Sequence, residues 1–136
     1  MELQEKSRKF GPKRIINATK NSISGLVTAH KSEPSLMVLL ITSICIVILG
    51  FVFEIELFEW LFVIISIACC VGAELINTAI ENVVDLVTRE IHPLAKAAKD
   101  TASAAEFVFV IMTVCTLAII YIPKIVEMFW WKNVDL

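Results

Sequence analysis

A chain of 136 residues that is 57% hydrophobic with a formal net charge of −2 has a mean hydropathy of +0.78, far above a soluble domain. That length allows one small domain, over residues 1–136, and the composition makes it an all-α integral membrane protein. The net charge says little by itself; no nucleic-acid partner is expected.

Residues 1–11 read as a polar lead. From about 13 to 32, Ile15, Ile16, Ile23, Leu26 and Val27 alternate with Lys20 and Lys31, the pattern of an amphipathic helix lying on the membrane surface. Pro34 breaks it and turns the chain inward. Residues 36–53 form an 18-residue run without a charge, enough to approach a full crossing. A short acidic turn follows, with Glu54, Glu56 and Glu59. A second span runs over about 57–87 and continues past the hydrocarbon. Pro93 breaks the helix in the loop after it. A third span covers about 101–123, with Asp100 or Thr101 as its N-cap. Pro123 ends or kinks it, and Phe129, Trp130 and Trp131 form an interfacial aromatic anchor.

Seven of the twelve Lys and Arg precede the first span; Arg89, Lys96 and Lys99 lie in the second loop. The positive-inside rule puts the N-terminus and this loop in the cytoplasm. Cys45, Cys69, Cys70 and Cys115 all fall inside apolar spans without metal-like spacing, so they read as core-packing residues.

The second span carries the chemistry. Its later half reads Glu74-Leu-Ile-Asn77-Thr-Ala-Ile-Glu81-Asn-Val-Val-Asp85. At helical periodicity Glu74, Glu81 and Asp85 fall within about 40° of one another, with Asn77 about 60° to one side. Ionisable groups at membrane depth cost at least ~2.5–3.5 kcal/mol each and mark functional sites. Glu33, at the mouth of the first span, and Lys99-Asp100, at the start of the third, lie near the same interface. Together these residues offer oxygen ligands for Mg²⁺, a cation for phosphate and a carboxylate to act as base. That inventory suits phosphoryl transfer, though a proton relay or a polar packing seam uses the same residues. No glycine begins a Walker A motif, so any ATP site is built differently. Three helices make too thin a bundle to enclose the polar stripe, so protomers are expected to associate and build the site between them.

The Glu74–Asp85 segment, followed by His92-Pro-Leu-Ala-Lys-Ala-Ala-Lys99-Asp100, resembles the small prokaryotic diacylglycerol kinase family. The nearest branch is the undecaprenol kinases of Gram-positive bacteria. Gly25-Leu-Val-Thr-Ala, Glu59-Trp-Leu-Phe and Ile122-Pro-Lys-Ile support the resemblance, which covers residues from about 13 to about 126.

It implies a homotrimer of three-span protomers in the bacterial plasma membrane, each with a surface helix, using Mg-ATP at composite sites shared between protomers. By motif, Glu74 matches the general base that takes the lipid hydroxyl proton. Glu33 and Glu81 match the magnesium carboxylates, and Asn77 a residue orienting Glu74 or the acceptor. Lys99 and Asp100 match the nucleotide-contacting pair, Lys99 on the phosphates. Glu90 and His92 match loop positions near the adenine, Arg14 a basic position on the surface helix, and Ser103 a position beside the lipid.

The chain departs from the family pattern at Pro34-Ser35, where the undecaprenol branch usually carries Arg-Asn. It departs again at Thr101-Ala-Ser-Ala, closer to the diacylglycerol branch, and at Glu106, where the family has an apolar residue.

The expected activity is ATP-dependent phosphorylation of undecaprenol, with diacylglycerol as the alternative acceptor. A small proton-coupled transporter and a pore or scaffold are the readings from other classes. The odd number of spans and the Lys99-Asp100 motif speak against the transporter.

Overall fold

A computed structural model describes residues 11–134, and among them the chain forms four α-helices and no strand. They are α1 (Pro12–Ser32), α2 (Pro34–Val52), α3 (Leu57–Val87) and α4 (Pro93–Val134). Three of the four begin on proline, which lacks the N–H that a first turn leaves unbonded anyway. The α1–α2 break follows from the same chemistry. Pro34 disfavours helical backbone at the residue before it, and Glu33 is extended at φ −123°, ψ 106°.

Three helices are long and apolar enough to cross a membrane: Pro34–Val52, Leu57–Val87 and Pro93–Trp130. The fold is therefore the expected one, a multi-pass membrane protein with an additional amphipathic helix. On α1, Ile15, Ile16, Ile23, Leu26 and Val27 stay exposed, as a helix resting on lipid requires. Ile44, Phe51, Phe58 and Val108 are likewise exposed on the spans, a surface suited to lipid or neighbouring chains.

At one end the α2–α3 turn closes over a small apolar cluster of Ile55, Val63, Ile120 and Tyr121, flanked by Phe53 and Trp60. The Tyr121 hydroxyl donates to the Ile46 carbonyl at 3.0 Å. Gly50 is buried in this turn, and a Cβ there would meet the Trp60 ring at 2.6 Å. Only glycine admits the indole so closely. Glu56 and Glu59 form a reciprocal capping box that starts α3, and Glu59 also pairs with Lys124 of α4 at 3.1 Å.

Farther along, α3 and α4 pack through small polar groups. Cys70 Sγ meets Thr113 Oγ1 at 3.0 Å, and the Thr113 hydroxyl also donates to the Phe109 carbonyl at 2.9 Å. Such contacts hold helices together where lipid removes the hydrophobic incentive to associate. They also fit the reading of the buried Cys70 as a packing residue, whereas Cys45 and Cys115 are exposed on the spans and do not pack within this chain's core.

The third span differs from expectation at both ends. Its helix starts at Pro93, not at Asp100 or Thr101. His92 provides the start: its Nδ1 accepts the Leu94 N–H at 3.2 Å, and its carbonyl accepts the Lys96 N–H at 3.0 Å. Asp100 and Thr101 thus lie inside α4, where the Thr101 hydroxyl donates back to the Ala97 carbonyl at 2.7 Å. At the other end the helix runs through Pro123 to Val134. Phe129 and Trp130 are exposed there, as an interfacial anchor requires. The side chain of Trp131 and the polar lead over 1–10 lie outside the described residues.

Candidate active site

Glu74 is the best-buried carboxylate among the described residues, 2% exposed on the inner face of α3. An apolar segment positions it, and two other helices reach it. From the first turn of α2 the Ser35 hydroxyl donates to Glu74 Oε1. From α4 the Glu106 carboxyl faces Glu74 closely enough for the two to interact electrostatically. Asn77 and Thr78 follow within one turn. Asn77 Oδ1 and Thr78 Oγ1 are buried without a hydrogen-bond partner among the described residues. A buried polar atom left unpaired costs free energy until something bonds to it. These two atoms mark where a ligand or another chain can complete the site.

Two turns beyond Glu74 the stripe emerges at the end of the bundle. Glu81 is half-buried and Asp85 exposed. Lys99 of α4 pairs with Asp85, Nζ to Oδ1 at 2.7 Å, and Glu81 and Glu33 lie within its electrostatic reach. The helical spacing of α3 and the proline break before α2 thus bring three carboxylates to one ammonium. Asp100 turns instead to Lys96, its ion-pair partner one turn back.

Beside this cluster lies a cleft of about 310 Å³, lined by Asp85, Glu90, His92, Lys96, Lys99 and Asp100 among others. The four positions matched to nucleotide contacts in the loop and α4 therefore share one cleft. The Glu90 N–H donates to the Thr88 hydroxyl at 3.1 Å, and both residues line the cleft. Arg14, on α1, and Ser103, on α4, are exposed and do not line it.

A second groove, of about 620 Å³, runs between α1 and α3. Leu26, Ala29, Leu75 and Ala79 give it apolar walls, and Thr78 adds its unpaired hydroxyl. A larger groove of about 710 Å³, beside Phe53, Lys124 and Trp130, sits at the opposite end of the bundle from this chemistry.

Among the described residues no group of three or more His, Cys, Asp or Glu side chains is close enough to hold a metal ion unaided. Two carboxylates, Glu33 and Glu81, beside the Lys99 cleft still suit Mg²⁺. That ion keeps several waters and is usually held by one or two carboxylates together with phosphate oxygens.

Sequence reasoning did not find Ser35 as a partner of Glu74, because they are 39 residues apart on different helices. In the sequence Glu106 stands out only as a departure from the family pattern. Pairing it with Glu74 required knowing how α3 and α4 pack.

Comparison with known proteins supplies the family. A family model described as prokaryotic diacylglycerol kinase matches residues 20–121. An undecaprenol kinase of Bacillus subtilis is 42% identical over 80 residues, which are 59% of this chain and 65% of that protein. A diacylglycerol kinase of Pseudomonas aeruginosa is 36% identical over 110 residues, 81% of this chain and 89% of that protein. One of Helicobacter pylori is 36% identical over 107 residues, 79% and 82% of the two chains. The chain belongs to the prokaryotic diacylglycerol kinase family of membrane lipid kinases.

Proposed function

We propose that this chain transfers the γ-phosphoryl group of ATP to the hydroxyl of a membrane lipid alcohol, with undecaprenol as the acceptor and undecaprenyl phosphate as the product. The observation that carries the reading is Glu74, a buried carboxylate already accepting a hydrogen bond from a hydroxyl, two turns from a Lys99–Asp85–Glu81 cluster. Glu74 takes the proton of the acceptor hydroxyl. The hydroxyl oxygen attacks the γ-phosphorus in line, and the bond to ADP breaks.

Lys99 neutralises phosphate charge, and Asp100, Glu90 and His92 line the nucleotide cleft. Arg14 reaches the nucleotide from α1. Glu33 and Glu81 would hold Mg²⁺, which supplies charge neutralisation on the phosphates when bound. Asn77 orients Glu74 or the acceptor, and Ser103 lies beside the lipid. The apolar α1–α3 groove offers a path for the lipid along the helix that carries the base. In this reading the N-terminus and the 88–92 loop face the cytoplasm, where ATP is, and the protein works as a homotrimer with sites shared between protomers.

The identity to an undecaprenol kinase supports that acceptor. Diacylglycerol is the second reading, favoured by the wider coverage of the diacylglycerol kinases. Both acceptors present one hydroxyl at the interface, and apolar tails discriminate weakly. A detergent-micelle assay with undecaprenol and diacylglycerol in turn decides between them. Faster phosphate transfer to undecaprenol is expected. Faster transfer to diacylglycerol selects the second reading, and transfer to neither overturns both.

A further inference from the structure

Ser35 and Glu106 stand at two places where the sequence departs from the family pattern, and the fold brings both to the same carboxyl. Ser35 comes from the first turn of α2 and Glu106 from α4, while Glu74 lies between them on α3. A carboxyl within the apolar run that continues as Phe107-Val-Phe-Val-Ile is costly unless it is bonded. Its partner is Glu74. The Ser35 hydroxyl donates to Glu74 Oε1, and Glu106 faces the same carboxyl from α4.

The Ser35 contact has another meaning. A lipid alcohol meeting its base must place an O–H where it donates to a Glu74 oxygen. Ser35 already makes that bond with a primary hydroxyl of the same chemistry. Glu74 is 2% exposed, whereas Ser35 is exposed, so the serine stands between the base and its surroundings.

We propose that Ser35 and Glu106 are positioning residues of the base: Glu106 fixes the Glu74 carboxyl from α4, and the Ser35 hydroxyl holds the place that the acceptor hydroxyl takes during turnover. This rests on Glu74 being the base. The charged groups around the cluster are Glu81 on the same face of α3, and Lys99 of α4 with Glu33 at the head of α2 beyond it. Neither Ser35 nor Glu106 bonds to them. Ser35 therefore competes with the acceptor and not with ATP, and Glu106 acts on turnover through Glu74 alone.

The test is steady-state kinetics in detergent micelles with whichever of undecaprenol and diacylglycerol the protein phosphorylates, alongside thermal melting. Removing the placeholder in Ser35→Ala should lower the acceptor KM about fivefold, the scale of one hydrogen bond, with the ATP KM unmoved. Glu106→Val should lower kcat about fivefold or more with both KM values little changed. Glu106→Gln keeps the side chain's length and offers an N–H to Glu74, and should recover most of that loss. A merely structural Glu106 would lower the melting temperature without a split between kcat and KM, and would overturn its part of the proposal. An acceptor KM in Ser35→Ala that stays level or rises overturns the placeholder, and this arm decides even if Glu106→Val does not fold. Glu74→Gln, run in parallel, separates the two claims, since loss of a general base costs ~10²–10⁴-fold in rate. Near-normal turnover in that variant removes the base itself. A dead Glu74→Gln with unaltered Ser35→Ala and Glu106→Val leaves the base standing and removes only its two partners.

Discussion

Lys99 of α4 and Asp85 of α3 face each other across the break between the two helices, Nζ to Oδ1 at 2.7 Å. The pair closes the same end of the bundle at which Glu81 and Glu33 approach. Its side chains are 34% and 58% exposed, so water screens it and it adds little to stability. A lysine held so loosely is easily drawn to a stronger anion. Triphosphate oxygens entering the cleft beside it offer such an anion, with shorter charge-assisted hydrogen bonds.

Lys99→Ala should therefore weaken ATP binding about tenfold or more, the scale of a lost hydrogen bond to a charged group. The melting temperature in detergent should hardly move, because the ion pair is half-exposed. Equilibrium nucleotide binding and a thermal melt on the same sample test both halves. Unchanged ATP affinity would take Lys99 out of the nucleotide site.

The magnesium assignment makes a separable claim. Glu33 and Glu81 come from different helices, and each is a single carboxylate beside the cleft rather than part of a protein cage. Glu81→Gln or Glu33→Gln should raise the magnesium concentration needed for half-maximal rate, and extra magnesium should recover part of the loss. A magnesium titration that superimposes on the parent protein's would make both carboxylates structural.

Gly50 offers a test of the fold independent of the chemistry. A methyl group there would press on the Trp60 ring at 2.6 Å, and overpacking of this kind costs ~1–3 kcal/mol. Gly50→Ala should lower the melting temperature clearly. Gly25→Ala, where an added Cβ meets nothing within 4 Å, should leave it level or raise it, since alanine is the better helix former by ~1 kcal/mol. Equal melting temperatures in the two variants would mean that the α2–α3 turn yields around the indole.

The sequence made the spans legible because membrane crossing demands long uncharged runs, and α3 occupies the residues expected of it, 57–87. It also made the Glu74–Glu81–Asp85 stripe legible, because three carboxylates on one helical face follow from spacing alone. The start of α4 was not legible. A proline after a histidine reads as a break, and only the His92 Nδ1 contact with Leu94 identifies it as a cap. The convergence of Ser35 and Glu106 on Glu74 was beyond reach for another reason. Each depends on how one helix rotates against the next, and periodicity along a single helix carries no information about that.

The last prediction concerns what completes the site. One chain leaves Asn77 Oδ1 and Thr78 Oγ1 buried and unpaired among the described residues, beside Glu74 and with broad apolar faces exposed around it. A second copy of the chain can cover those faces and supply the missing partners, as the proposed shared-site homotrimer would require. If sites are shared, Glu74→Gln and Lys99→Ala proteins, each impaired alone, should regain part of the activity after mixing and subunit exchange in detergent, assayed at an ATP concentration that the Lys99→Ala protein cannot use well. The recovered fraction should vary with the mixing ratio, because only some mixed sites receive both an intact Glu74 and an intact Lys99. Exchange is followed independently with a labelled subunit. Full exchange without any recovery would mean that Glu74 and Lys99 act within a single chain, which already brings Lys99 to Asp85 and near Glu81. The kinase assignment would stand, and the shared-site arrangement would not.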